Sequence, residues 1–89
     1  MPTVNIDQDK LQDFIRMLRK FDRDLQGQWR ALNVTWKNLE ATWHDQEREK
    51  FLRDWQEVIN AMEGYLSDAE TYEQFLMRKD RALDAFLGR

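Results

Sequence analysis

The chain has 89 residues, 35% of them charged and 42% hydrophobic, with a net charge of −3, three glycines, one proline and no cysteine. That length allows one domain, and the lack of cysteine excludes disulfides and thiolate metal sites. A single histidine, His44, cannot complete a zinc site of the usual nitrogen and sulfur ligands. The acidic balance argues against general nucleic-acid binding, which needs a basic face for phosphates. The clusters Arg16–Arg19–Lys20–Arg23 and Arg78–Lys79–Arg81 are offset by nearby carboxylates and read as solvated faces.

The N-terminus has neither a basic segment nor an apolar one of signal-peptide type. From Leu11 the apolar residues run Leu11, Phe14, Leu18, Phe21, Leu25, Trp29, Leu32, Trp36, Leu39 and Trp43. Steps of three and four predict a helix, since a strand repeats every two. The step from Leu25 to Trp29 adds a second consecutive four and relaxes a strict heptad. Ile15 widens the stripe beside Phe14. The helix is expected over about residues 7–40, with Asn5 or Asp7 as N-cap and Asn5 with Gln8 as a candidate capping box. Asn33-Val34-Thr35 matches a glycosylation sequon, discounted because it lies inside this helix with no signal peptide.

A turn is expected over about residues 41–46, although no glycine or proline occurs between residues 28 and 63. One continuous helix of about 80 residues is therefore the competing reading. The break is favoured by Thr42 and Asp45, both good N-cap residues at capping-box spacing. Glu47 and Glu49 follow, where the positive end of a helix dipole favours them. The cluster His44-Asp45-Gln46-Glu47 reads as capping and not as a metal or acid–base site.

The second stripe runs Phe51, Trp55, Val58, Met62, Tyr65, Ala69, Tyr72, Leu76, Leu83 and Phe86, interrupted at Lys79 and broadened by Ile59 and Leu66. It predicts a helix over about residues 46–87, stopped by Gly88. Gly64 costs this helix roughly 1 kcal/mol relative to alanine. It and Gly27 are candidates for a close helix approach. Neither stripe has the ~20 apolar residues needed to cross a bilayer.

The expected fold is all-α: an antiparallel helix-turn-helix hairpin. Each of these aromatics can bury ~150–250 Å². Two helices crossing at ~20° cannot cover such broad stripes, whereas two hairpins forming a four-helix bundle can. The expected packing and dimer-interface residues are Phe14, Leu18, Phe21, Leu25, Trp29, Leu32, Trp36, Leu39, Phe51, Trp55, Val58, Met62 and Tyr65. The expected turn motif is Thr42, Trp43 and Asp45. No nucleophile–base order or cofactor loop is apparent, so neither enzyme activity nor a cofactor is expected.

The length, the two helices and Trp43-His44-Asp45 at the turn, followed by Phe51 and Trp55, resemble the W-x-G superfamily of small type VII (ESX) secretion proteins. The resemblance covers nearly the whole chain. It implies a hairpin that pairs with itself or with a related hairpin, in the cytoplasm or exported without a cleavable signal peptide. Two features depart from the family pattern. Asp45 stands where the family has glycine. The family export signal places an acidic residue four after a tyrosine, in or near a tail beyond helix two. Here Ala69 follows Tyr65 and Leu76 follows Tyr72 at that spacing, and no tail is expected past the helix. A cytoplasmic chaperone, adaptor or scaffold that is not exported is therefore the alternative. A needle-type secretion subunit ranks lower, because those carry prolines at the turn and the only proline here is Pro2. An interfacial membrane helix is disfavoured by polar faces of mixed sign.

Overall fold

The computed structural model describes residues 5–89; residues 1–4, Pro2 among them, lie outside. Two helices make up the fold, α1 (Gln8–Glu40) and α2 (Glu47–Leu87). They pack antiparallel as a hairpin 65 Å long. Gln8 meets Asp84, Asp22 meets Tyr65 and Trp36 meets Phe51. The alternative of one uninterrupted helix is excluded.

The caps explain where the helices start and stop. Asp7 caps α1, its carboxylate accepting the Lys10 amide at 3.2 Å. The capping box suggested for Asn5 and Gln8 does not form, because Gln8 is recruited across the hairpin. Its Nε2 donates to Asp84 at 2.7 Å and to Asp80 at 3.0 Å, and its Oε1 accepts from Arg89 at 2.9 Å. Gly88 ends α2 with a φ of 74°. The Arg89 amide then reaches back to the Asp84 carbonyl and the Gly88 amide to that of Ala85, the bonds of a Schellman motif.

The seam has three chemically different parts. At the open end Leu11, Ile15 and Leu83 are buried, with Leu76 and Met77 packed against them. At the turn end the interior is aromatic: Trp29, Trp36, Trp43 and Trp55, with Phe51 packed along their edge. Between these lie buried Ala69 and a buried carboxylate, Asp22.

Residues facing the partner helix differ from the apolar stripe read from the sequence. In α1 the inward positions are Gln8, Leu11, Ile15, Leu18, Asp22, Leu25 and Trp29, an unbroken three–four alternation. Asp22 is the seam member and Phe21 its exposed neighbour; likewise Ile15 is inside and Phe14 outside. The extra four-residue step falls one turn later than the apolar pattern put it, from Trp29 to half-buried Asn33. A helix of 3.6 residues per turn drifts from a heptad repeat, and that drift turns Leu32 and Leu39 out of the seam. In α2, Leu52, Ile59 and Leu66 point inward, whereas Phe51, Val58 and Tyr72 lie to the side.

Neither interior glycine marks a close approach: a Cβ at Gly27 or Gly64 would meet nothing within 4 Å. Gly64→Ala is therefore expected to stabilise the hairpin by about 0.5–1 kcal/mol, through helix propensity and a less flexible unfolded chain. Urea unfolding followed by circular dichroism reads this, and a loss of stability would place another backbone against Gly64.

Candidate interaction face and turn motif

Helical geometry sets Phe14, Phe21, Leu32 and Leu39 roughly a quarter of a turn to one side of the α1 seam. Phe51, Val58, Tyr65, Tyr72 and Phe86 occupy the matching flank of α2. In an antiparallel pair these flanks share one face. The Phe21 and Tyr65 rings meet edge-on across it at 6.3 Å. Nearer the turn, Leu25, Gln28 and Leu32 of α1 and Trp55, Val58 and Met62 of α2 line a shallow apolar groove of about 220 Å³ on the same face. Phe14 is 55% exposed and Phe21 54%. The opposite face carries Gln12, Arg19 and Gln26 from α1, and Glu49, Gln56, Glu63 and Glu70 from α2, with Met77 as its apolar member. The hairpin is thus aromatic on one side and polar on the other.

The expected interface residues divide between seam and face. Leu18, Leu25, Trp29, Trp36, Trp55 and Met62 are buried or half-buried. Phe14, Phe21, Leu32, Leu39, Phe51 and Val58 are exposed. Tyr65 bridges the two sets, its ring beside Phe21 and its hydroxyl donating to Asp22 at 2.6 Å.

The turn is organised by aromatic packing and one carboxylate. Phe51 lies 5.6 Å from Trp43 and 5.3 Å from Trp36, and stacks on Trp55 at 5.8 Å. Asp45 Oδ1 accepts both the Trp43 indole N–H at 2.8 Å and the Glu47 amide at 2.9 Å. The cap position itself, Gln46, makes no side-chain bond to the helix; Asp45, one residue before it, receives the first amide of α2 in an Asx turn and also holds the tryptophan. Thr42 does not cap α2, contrary to the sequence expectation. Its hydroxyl donates backward to the Leu39 carbonyl at 3.0 Å, satisfying the C-terminus of α1. An ion pair at 2.8 Å, Arg48 to Glu40, ties the helices beside it. Asp45→Ala is expected to cost about 1 kcal/mol by loss of the cap and to release the indole N–H. Asp45→Asn should restore most of it; equal losses in both variants would show that the oxygen is not what matters.

Sequence reading missed the polar groups inside the seam. Asp22 is 7% exposed; Tyr65 binds one of its oxygens, and the other, Oδ2, has no partner among the described residues. Glu73 of α2 is paired with α1 through Arg19, whose Nε lies 3.6 Å from Glu73 Oε1; Asp22 and burial raise its carboxyl above the ordinary value. The bond to Asp22 and burial push the Tyr65 hydroxyl up to about 12. The unbroken three–four spacing through Gln8, Ile15, Asp22 and Trp29 was the available signal, hidden because a polar residue is ordinarily assigned to the surface. Nearby, the Trp55 indole N–H is buried without an acceptor among the described residues.

Among the described residues, no cluster of three or more histidine or carboxylate side chains is placed to hold a metal ion. No helix there is long and apolar enough to cross a membrane. A cleft of about 650 Å³ beside the turn is open and lined by opposed charges, including Lys37, Glu40, His44, Asp45 and Arg48.

The fold is a two-helix hairpin with one exposed aromatic face. No family model, curated protein or solved structure matches the chain.

Proposed function

We propose that this protein is a non-enzymatic interaction module that pairs its aromatic face with a second helical hairpin, forming a four-helix bundle. In this reading it is a W-x-G-like component of type VII secretion, either a substrate or its co-secreted partner. The supporting observation is the segregation of Phe14, Phe21, Leu32, Leu39, Phe51, Val58 and Tyr72 onto one side of a hairpin whose other side is polar. Exposed aromatic area of that extent is what association removes from water. A second copy satisfies the geometry, because a two-fold axis through the face sets the same patch on both partners. The Trp43–Asp45 pair fits a turn that holds the tryptophan in a fixed place beside the next hairpin.

Light scattering on the purified chain over a dilution series tests the pairing. A mass near twice 10.9 kDa that persists on dilution is expected. A monomer at every concentration would remove self-pairing and leave a different hairpin as the partner.

A retained cytoplasmic chaperone or scaffold is the second reading, and one observation favours it. The residues four after the two tyrosines are Ala69, buried in the seam, and Leu76, packed on the aliphatic core. Neither presents an acidic group of the family's export type. Detection of the chain in culture supernatant without lysis would rule this reading out.

A further inference from the structure

The polar side of the hairpin is divided along its length by charge. From Arg16 to Lys37, α1 carries six cations and two carboxylates, one of them the buried Asp22. From Asp54 to Met77, α2 carries six carboxylates and no lysine, arginine or histidine. At about 100° per residue, Arg19, Arg23, Arg30 and Lys37 fall about 40–80° round α1 from the seam residue Ile15, on the side away from Phe14 and Phe21. Glu63 and Glu70 fall about 40–60° round α2 from the seam residue Leu66, on the side away from Tyr65. All of these charged residues are exposed. The polar face therefore has a basic half on α1 and an acidic half on α2. Arg19 reaches Glu73 at 3.6 Å, but no ion pair among the described residues uses Arg23, Arg30, Lys37, Glu63 or Glu70.

We propose that this face is a second docking surface, separate from the aromatic one, whose occupant is another copy of this chain held by ion pairs. The argument for a second copy is self-complementarity. The helices run antiparallel, with Asp22 meeting Tyr65 and Arg19 meeting Glu73, so Glu70 stands level with Arg19 and Glu63 level with Arg23. A two-fold axis parallel to the hairpin lays α1 of each copy on α2 of the other at the same level. It sets Arg19 opposite Glu70 of the second copy and Arg23 opposite Glu63 of the second copy, and symmetry makes each pairing twice. A two-fold axis across the hairpin would lay α1 on α1 and set cation against cation. The charges thus select the orientation as well, with both turns at the same end. Arg53 lies on α2 nearer the turn and opposes the pattern there, so the contact centres on the stretch from Arg19 to Arg23.

Exposed ion pairs are individually weak and are screened by salt. The contact therefore forms at low ionic strength, where the Debye length is about 30 Å at about 0.01 M, and dissolves towards about 1 M, where it is about 3 Å. Pairing through the aromatic face rests on removing apolar surface from water and needs no unscreened charge. Salt accordingly separates the two surfaces. A lone hairpin has one polar face and becomes a pair. An aromatic-face pair carries a polar face on each outer side, so it can add further pairs on both sides.

Light scattering on the intact chain at one fixed concentration, in sodium chloride from about 0.01 M to about 1 M, tests this. The mass at low salt is expected to be at least twice the mass at high salt, whether the high-salt species is one chain of 10.9 kDa or an aromatic-face pair. The high-salt mass reads the aromatic pairing, and the rise on lowering salt reads the polar one. A mass that does not rise as salt falls would overturn the proposal. Arg23→Glu and Glu63→Arg, each alone, should abolish the rise, with helicity by circular dichroism retained because both side chains are exposed. The two reversals in one chain should restore it, because the exchanged charges again face each other across the axis. A double variant that keeps its high-salt mass at low salt would reject the pairing.

Discussion

Trp29→Ala is expected to destabilise the hairpin by about 3–5 kcal/mol, the largest loss from any one aromatic in the chain. Trp29 is 8% exposed and lies 6.0 Å from the Trp55 ring, at the boundary between the carboxylate centre and the aromatic end of the seam. Truncation deletes the transfer free energy of an indole and leaves a cavity that two rigid helices cannot close. A domain of this size has roughly 5–15 kcal/mol in total, so the variant should unfold at much lower urea or lose its cooperative transition. Trp43→Ala should cost less, because Trp43 is only half-buried at the turn. Circular dichroism in urea compares the two. Equal losses, or a loss under about 1 kcal/mol for Trp29, would contradict the burial order described above.

A charge placed on the aromatic face should separate the paired hairpins without unfolding them. Phe14→Glu combined with Val58→Glu alters two exposed side chains, one on each helix and both outside the seam. If two copies meet through this face, the symmetry of the pair buries four unpaired carboxylates. One uncompensated buried charge already costs about 3–5 kcal/mol, so the dissociation constant should rise about a thousandfold or more. Light scattering should then report 10.9 kDa at concentrations where the parent is twice that mass, with helicity retained. Gln26→Glu with Gln56→Glu adds the same charge to the opposite face and should leave the mass unchanged. A dimer that survives the first pair and dissociates with the second would move the interface to the polar side.

The two arguments draw on different parts of the sequence pattern. The apolar spacing from Leu11 to Trp43 and from Phe51 to Phe86 was enough to expect two helices, because alternation by three and four has no counterpart in a strand. Asp45 and the glutamates after it were enough to expect a break where no glycine or proline marks one. Gly88 likewise announced the end of α2. The roles within the turn were less legible. Thr42 and Asp45 are both good caps by type, and only the backbone path sends the Thr42 hydroxyl back to Leu39 and leaves Asp45 to hold both Glu47 and Trp43.

The sequence by itself determined that the chain forms two long amphipathic helices folded back on each other, since periodicity and capping are local properties. It also showed that more aromatic surface is present than one seam can hide. Only the tertiary structure decided which residues occupy the seam. A one-residue choice, Asp22 over Phe21 or Ile15 over Phe14, turns a position by 100° about the helix, and hydrophobicity favours the wrong member of the first pair. The partner helix settles it by supplying the Tyr65 hydroxyl to the buried carboxylate. With Asp22 inside, Phe21 is left facing outward, so the same packing choice creates both the buried Asp22–Tyr65 hydrogen bond and the exposed aromatic face.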